Sequence, residues 1–272
     1  MNIDLQSALD LAIEMAVAGG GQATTRYGPS APARLKPDGT WVTEADEAAE
    51  AAVRKIIAGA FPGHNVLGEE GGSTAAGGGP PVDGAPTWIV DPIDGTHNYM
   101  AGIPVWGTLI GLRVDGEMVL GVAHAPALGE TYDAARGLGA RMNGSPIEVS
   151  GVSDLGDAML VSTGFEDFEN EGLSALYVEL TRRTKRSRGF GDFWGHMLVA
   201  RGAAEIMVEP ILSTWDYAPL TAIVEEAGGR ITRLDGEPPT HGGTCLTTNG
   251  ALHDPVLELV HPHLPHPDLS GS

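Results

Sequence analysis

The residues best suited to chemistry lie in one stretch, Trp88-Ile-Val-Asp91-Pro-Ile-Asp94-Gly95-Thr96. Two carboxylates three residues apart, on a turn stiffened by Pro92, offer the hard oxygen ligands that Mg2+ selects. Gly95 and Thr96 follow at once, and free backbone N–H groups there could face a phosphate. Further acidic groups stand upstream at Gly68-Glu69-Glu70 and downstream at Trp215-Asp216. The plain alternative for the central stretch is an acidic turn after a strand, because Asp-Pro and Asp-Gly are ordinary turn dipeptides.

The elements around these groups can be read from periodicity. Trp88-Ile-Val90 is a buried-strand run, and Pro92 is expected to end it, since proline cannot continue a ladder. Residues 3–18 carry helical apolar spacing, which Gly19-Gly20-Gly21 should weaken or end. Residues 27–40 read as a mobile loop carrying a lone Lys36. Thr43-Glu-Ala-Asp46 opens a helix through about Ala60 with a capping-box pattern, and capping alone would account for Asp46. Asn65-Val-Leu67 reads as a short strand, and 71–86 as a flexible excursion that lets Glu69 and Asp91 lie side by side.

From Val105 to Val149 the texture turns to β, with strands at 105–113, 118–125, 131–135 and 140–142 separated by turn signals such as Asp115-Gly116 and Asn143-Gly144. Beyond it, strands are expected at 157–163, 205–208, 231–233 and 245–248. Helices are expected at 172–183, 193–201, 215–226 and from about Asp254. Arg182, Arg183, Lys185, Arg186 and Arg188 read first as a solvated helix end. The Pro-rich tail from His261 reads as frayed.

Composition narrows the partners. Of the 272 residues, 36 are acidic and 16 basic, a formal charge of −20 that argues against nucleic acid or an anionic membrane. Such a chain should repel phosphate esters unless bound cations invert the local field. The single cysteine, Cys245, forms no intrachain disulfide and fits a reducing compartment. No apolar run approaches the ~18 residues that span a bilayer, and the start lacks a basic leader, so a cytoplasmic protein is expected.

Gly68-Glu69-Glu70, Asp91-Pro-Ile-Asp94-Gly-Thr96 and Trp215-Asp216, in this order, closely resemble the inositol monophosphatase-like family of Mg2+-dependent phosphomonoesterases, over about residues 5–260. The resemblance implies an α/β (α+β) layered αβαβα sandwich in one domain over 1–272. It implies an N-terminal lobe to about 150, a C-terminal lobe over about 151–260, and a homodimer. It also implies two or three Mg2+ ions per site: Glu69, Asp91 and the Ile93 carbonyl would hold one, and Asp91, Asp94 and Asp216 a second. Gly95 and Thr96 match the phosphate-binding N–H positions. Asp46 matches an aspartate that hydrogen-bonds Thr96 in activating water, with Glu69 taking the proton, and Glu70 matches a position that either supports the metal ligands or holds an accessory metal. His97 reads as an outward neighbour of the site. Cations about 3.5–4 Å apart would relieve the mutual repulsion of these carboxylates and clamp an in-line displacement. A non-catalytic binding relative is the alternative from another class, but such a protein would usually have lost a ligand or the threonine.

Within the family, Ile103-Pro-Val-Trp106-Gly, Arg188-Gly-Phe-Gly-Asp192-Phe-Trp194 and Thr248-Asn-Gly-Ala-Leu-His253-Asp254 resemble the histidinol-phosphatase branch. Asp192 and Glu209 fall at substrate-contact positions, where an ionised carboxylate would favour the ammonium and imidazole of histidinol phosphate. The competing readings are a helix N-cap for Asp192 and an exposed strand end for Glu209. Inositol 1-phosphate or a broader set of esters is the runner-up substrate. Trp106 and Trp194 could line the pocket or belong to the core.

Overall fold

The computed structural model describes residues 3–29, 32–37, 39–239 and 242–264. In chain order, α1 (Leu5–Thr24), the hairpin β1 (Ala33–Leu35) and β2 (Trp41–Thr43), and α2 (Glu44–Ala60) precede β3 (Asn65–Gly68), β4 (Gly72–Ala75) and β5 (Thr87–Asp94). After a short α3 (Thr96–Ala101) comes a meander, β6 (Gly107–Val114), β7 (Glu117–Ala125), β8 (Glu130–Ala135), β9 (Gly139–Met142) and β10 (Ser145–Pro146). The remaining elements are β11 (Met159–Ser162), α4 (Phe165–Asn170), α5 (Ser174–Arg183), β12 (Arg186–Gly189), α6 (Asp192–Ala200), β13 (Ile206–Leu212), α7 (Thr214–Glu226), β14 (Arg230–Thr232), β15 (Gly243–Thr248) and α8 (His253–Val260).

Among the described residues the strands form a large sheet ordered β10-β9-β8-β7-β6-β5-β3-β4, a small sheet ordered β12-β11-β13-β15-β14, and the β1–β2 hairpin. Strand alternation sorts side chains into layers. Trp88 and Val90 face a core with Leu9, Met15, Val53 and Ile57 of α1 and α2, whereas Ile89 faces a core with Met197, Leu220 and Ile223 of α6 and α7. Leu160, Ile206 and Leu246 of the small sheet pack on Phe168, Leu176 and Val256 of α4, α5 and α8. The architecture is an αβαβα sandwich, with α6 and α7 between the two sheets.

Several sequence expectations are corrected. Gly19 to Gly21 do not end α1, which runs to Thr24. Gly19 and Gly20 let it lie close to the sheet, since a Cβ on Gly20 would stand 2.8 Å from His124 Cδ2 and one on Gly19 3.1 Å from Thr108 Cγ2. Pro92 does not end β5, because a register shift between Asp91 and Asp94 absorbs the missing N–H. Residues 71–86 are not wholly irregular, as Gly72–Ala75 pairs antiparallel with β3. Arg186 and Arg188 are not in a helix end but on the edge strand β12. The tail reading falls mostly outside the described residues, with only His261–His263 seen as a 3-10 turn.

The close approach that matters most for the site joins α7 to the large sheet. Gly111 and Gly121 are paired across β6 and β7. A Cβ on Gly121 would overlap the Pro219 carbonyl oxygen, and one on Gly111 would lie 3.1 Å from Pro219 Cα. Only bare backbone admits the helix here. Gly121→Ala is therefore expected to destabilise the fold by about 1–3 kcal/mol or more. Gly21→Ala, in open space on α1, should stabilise it by about 0.5–1 kcal/mol, so the two thermal midpoints move in opposite directions.

Candidate active site

The site gathers at the C-terminal ends of parallel strands in both sheets. β3 and β5 run parallel with Gly68 opposite Val90, so Glu69 and Asp91 leave their strands side by side, and Glu69 N–H donates to the Val90 carbonyl at 3.2 Å. In the small sheet β11, β12 and β13 are parallel, with Ser162 opposite both Gly189 and Val208. Their ends deliver Thr163, Asp192 and Glu209 to the same place, the usual position for a ligand in parallel sheets. A cleft of about 380 Å3 is lined by Glu69, Asp91, Ile93, Asp94, Gly95, Thr96, Asp192, Glu209 and Asp216, together with Trp41, His97, Thr163 and Asp167.

One oxygen from each of Asp91, Asp94 and Asp216 lies within 4.8 Å of the others. Three different local structures produce this crowding. Asp91 sits at the β5 register shift, with a buried Oδ1 that has no partner. Asp94 points across to the other sheet's layer, its Oδ2 accepting Phe193 N–H of α6 at 2.8 Å. Asp216 is the third residue of a capping box on α7, accepting Ser213 N–H at 2.7 Å. Burial is the main force on all three carboxyls; neighbouring charges add to it, and for Asp216 the Ser213 N–H pulls the other way. Asp91 and Asp94 are pushed well above the carboxylate range, and Asp216 to about 7. Three carboxyls this close disfavour one another's ionised forms, and a cation among them would relieve that. The all-oxygen donor set, the orphaned Asp91 oxygen and the crowded charge fit a hard divalent cation.

Lys36 is not lone. Its ammonium reaches Glu69 Oε1 at 2.7 Å and Glu70 Oε1 at 2.9 Å, while burial pushes the Glu69 carboxyl up to about 7 against the pull of Lys36. Glu50 of α2 fixes this turn from below, accepting Glu70 N–H at 2.8 Å and Gly71 N–H at 2.9 Å. Gly95, at φ +78, starts α3; a Cβ there would stand 2.9 Å from the Val105 carbonyl oxygen and 3.4 Å from Asp192 Oδ2. N–H groups of a first helical turn have no partner within the helix, and Gly95 and Thr96 stand at the start of α3 on the cleft wall.

Two expected contacts are not made. Thr96 Oγ1 donates to the Ile93 carbonyl at 3.0 Å instead of pairing with Asp46. Asp46 Oδ2 is taken up by the capping box, accepting Thr43 N–H at 2.8 Å and Thr43 Oγ1–H at 2.6 Å, and burial raises its carboxyl to about 6. Its Oδ1 is buried without a partner, and Asp46 does not line the cleft. Asp192 is not an N-cap: it stands inside α6 at φ +54, and its Oδ2 accepts Asn98 Nδ2–H at 2.7 Å. Of the tryptophans, Trp106 is core with Tyr27 and Tyr99, and Trp194 donates to Glu130 at 3.0 Å. His97 lies on the cleft wall, edge-on to Trp41. Asp167 carries no motif, and only the parallel ends of β11 and β13 could have pointed to it.

Fold and site together define a phosphoric monoester hydrolase that works on small phosphate esters. The inositol monophosphatase family model matches residues 4–264. The histidinol-phosphatase of Mycobacterium tuberculosis is 46% identical over 82% of this chain and 85% of its own length. That of Chlorobaculum parvum is 41% identical over 92% and 95%. The solved inositol monophosphatase from Anabaena (Nostoc) sp. PCC 7120 superposes with a TM-score of 0.82 at 33% identity, covering 97% of this chain and 98% of that one. The chain belongs to the inositol monophosphatase family. Enzymes of this family generally use divalent metal ions, and the carboxylate cluster accords with that. No helix among the described residues is long and apolar enough to cross a membrane.

The raised carboxyls make stability depend on pH in a stated direction. Asp192 and Asp216 titrate near 7 in the fold against 3.8 for an ordinary aspartate, so between these values the folded state binds more protons than the unfolded one. Their stabilising share is whole below about 4 and is lost as pH rises through about 7. Chelator-treated protein should therefore lose thermal stability from pH 5 to pH 8. Added Mg2+ should raise the midpoint much more at pH 8 than at pH 5, as scanning fluorimetry would read. An equal shift at both values would contradict cation–proton competition.

Proposed function

We propose that the protein hydrolyses L-histidinol phosphate to L-histidinol and phosphate, with Mg2+ as its cation. The observation that most supports this is the second group of carboxylates in the cleft, Asp167, Asp192 and Glu209, which stand outside the Asp91–Asp94–Asp216 cluster. A neutral polyol gives such a group nothing to neutralise, whereas an ammonium and an imidazole do. The identity to histidinol-phosphatases supports the same reading.

Glu69, Asp91, the Ile93 carbonyl, Asp94 and Asp216 would hold two or three Mg2+ ions, which supply Lewis-acid acidification of water and neutralise the phosphoryl oxygens. Gly95 and Thr96 hold the phosphate through their backbone N–H groups. Glu69, once free of Lys36, accepts the proton of the attacking water. Thr96 orients that water, and Asp46, whose Oδ1 is buried without a partner, is the residue that the family resemblance offers to hold the Thr96 hydroxyl. The new P–O bond forms as the ester P–O bond breaks in line. Inositol 1-phosphate is the second reading, favoured by the similarity to the Anabaena enzyme. A homodimer and a cytoplasmic location complete the proposal; light scattering checks the first.

Phosphate release from L-histidinol phosphate and from myo-inositol 1-phosphate, on chelator-stripped protein with and without Mg2+, tests the substrate. Preference for the inositol ester would discard histidinol phosphate. Asp94→Asn should lower kcat by at least about a thousandfold on either ester, since it weakens a cation ligand that transition-state charge depends on. Because Asp94 also caps α6, its melting curve must be recorded alongside. Asp192→Ala should cost histidinol phosphate about tenfold more in kcat/KM than inositol 1-phosphate, the worth of one charge-assisted hydrogen bond. Equal losses would leave Asp192 without a recognition role.

A further inference from the structure

His196 is the one fully buried histidine of α6, and nothing in the hydrolytic chemistry uses it. Its Nε2 lies 2.7 Å from Glu209 Oε2 and its Nδ1 lies 2.7 Å from Thr247 Oγ1. A carboxylate only accepts, so Nε2 carries a proton toward Glu209. The other Glu209 oxygen, Oε1, accepts Asp192 N–H at 3.1 Å. Asp192 in turn is held by Asn98, whose Nδ2 also donates to the Val105 carbonyl at 2.9 Å. One unbroken hydrogen-bonded chain thus runs Thr247–His196–Glu209–Asp192–Asn98, from β15 through α6 and β13 to α3.

We propose that His196 is a positioning residue for substrate selectivity: it fixes the Glu209 carboxylate, and through it Asp192, in the orientation that recognises a cationic alcohol portion of the ester. The argument is one of constraint. Glu209 is almost wholly buried, and the cleft reaches only part of it. Without the imidazole, Oε2 would be a buried acceptor with no donor, and the side chain would turn to find another, taking Oε1 from Asp192 N–H. Asp192 occupies a left-handed backbone conformation that aspartate adopts at some cost, so it depends on its two partners to stay there. The Thr247 hydroxyl, fully buried beside the ring, keeps the imidazole from rotating. None of His196, Thr247 or Asn98 lines the cleft, so their effect must pass through Glu209 and Asp192.

This rests on the proposed preference for histidinol phosphate, and the test separates the two. The readout is selectivity, the ratio of kcat/KM on L-histidinol phosphate to that on glycerol 2-phosphate, a neutral ester. It is measured for wild type and for His196→Leu, His196→Gln, Thr247→Val and Glu209→Gln. His196→Leu is expected to lower the ratio about tenfold, matching Glu209→Gln. The loss should lie in KM for the cationic ester, not in kcat. His196→Gln, whose amide can still donate to Glu209, should restore most of it, and Thr247→Val should lower it by about threefold, as loss of a supporting hydrogen bond. A purely structural role would depress both esters together and leave the ratio alone, which would overturn the proposal. Should His196→Leu fail to fold, an unaltered ratio in Thr247→Val would overturn it equally. A wild type with no preference for histidinol phosphate would remove the substrate reading and this proposal with it. A wild-type preference that survives in His196→Leu would remove this proposal alone.

Discussion

Like charges at close quarters repel, and this fold is arranged to hold them together anyway. Asp91, Asp94 and Asp216 bring oxygens within 4.8 Å of one another from two elements that are far apart in sequence. Such a cluster survives without its cations only if the backbone cannot relax away from it. The fastening lies where α7 rests on β6 and β7 at Gly111 and Gly121 and where α6 is capped by Asp94. The cap joins the last residue of β5 in the large sheet to a helix of the middle layer, so moving Asp94 away would also strip a helix end of its acceptor. Rigidity here serves electrostatics: it keeps carboxyls together that would otherwise separate.

The same economy appears in the capping boxes. Asp216 and Asp46 both stand at the third position of a helix, each spending one oxygen on the N-cap backbone. The Asp216 carboxyl also joins the cluster, and for Asp46 the second oxygen is buried and unmet. A carboxylate tied by one oxygen to a helix end has a fixed rotamer and a free lone pair, which is what a preorganised ligand requires. Folding of the helix and assembly of the site are then one event.

Much of this was legible in the sequence, for physical reasons. The residues that gather in the cleft sit in short local motifs, Gly-Glu-Glu, Asp-Pro-Ile-Asp-Gly-Thr and Trp-Asp, whose spacing survives translation into a turn or a helix start. The meander between Gly107 and Met142 follows from strand alternation and turn glycines almost residue for residue. What was hidden are contacts between segments. Gly19 and Gly20 read as part of a helix end because Thr108 and His124, against which they pack, are distant in sequence. Lys36 read as lone because its carboxylates lie some thirty residues on. The Asp94 cap on α6 spans ninety-nine residues and has no local signature. Asp192 carried a sound N-cap pattern that lost to a tertiary partner, Asn98, and the left-handed φ at Asp192 could not be foreseen for a non-glycine residue.

The two groups of carboxylates finally account for how so acidic a chain can take a phosphate ester at all. Cations in the first group would turn that part of the cleft positive, while Asp167, Asp192 and Glu209 keep the rest negative. Burial holds the Asp192 carboxyl up near 7, chiefly for want of solvation, with the Glu209 charge adding to it. A substrate that brings a positive charge to this place relieves both burdens, and a neutral one relieves neither. With cations bound, the cleft would be positive where Asp91, Asp94 and Asp216 meet and negative around Asp167, Asp192 and Glu209. That contrast is the physical basis of the proposed preference for an ester that is anionic at the phosphate and cationic at the alcohol.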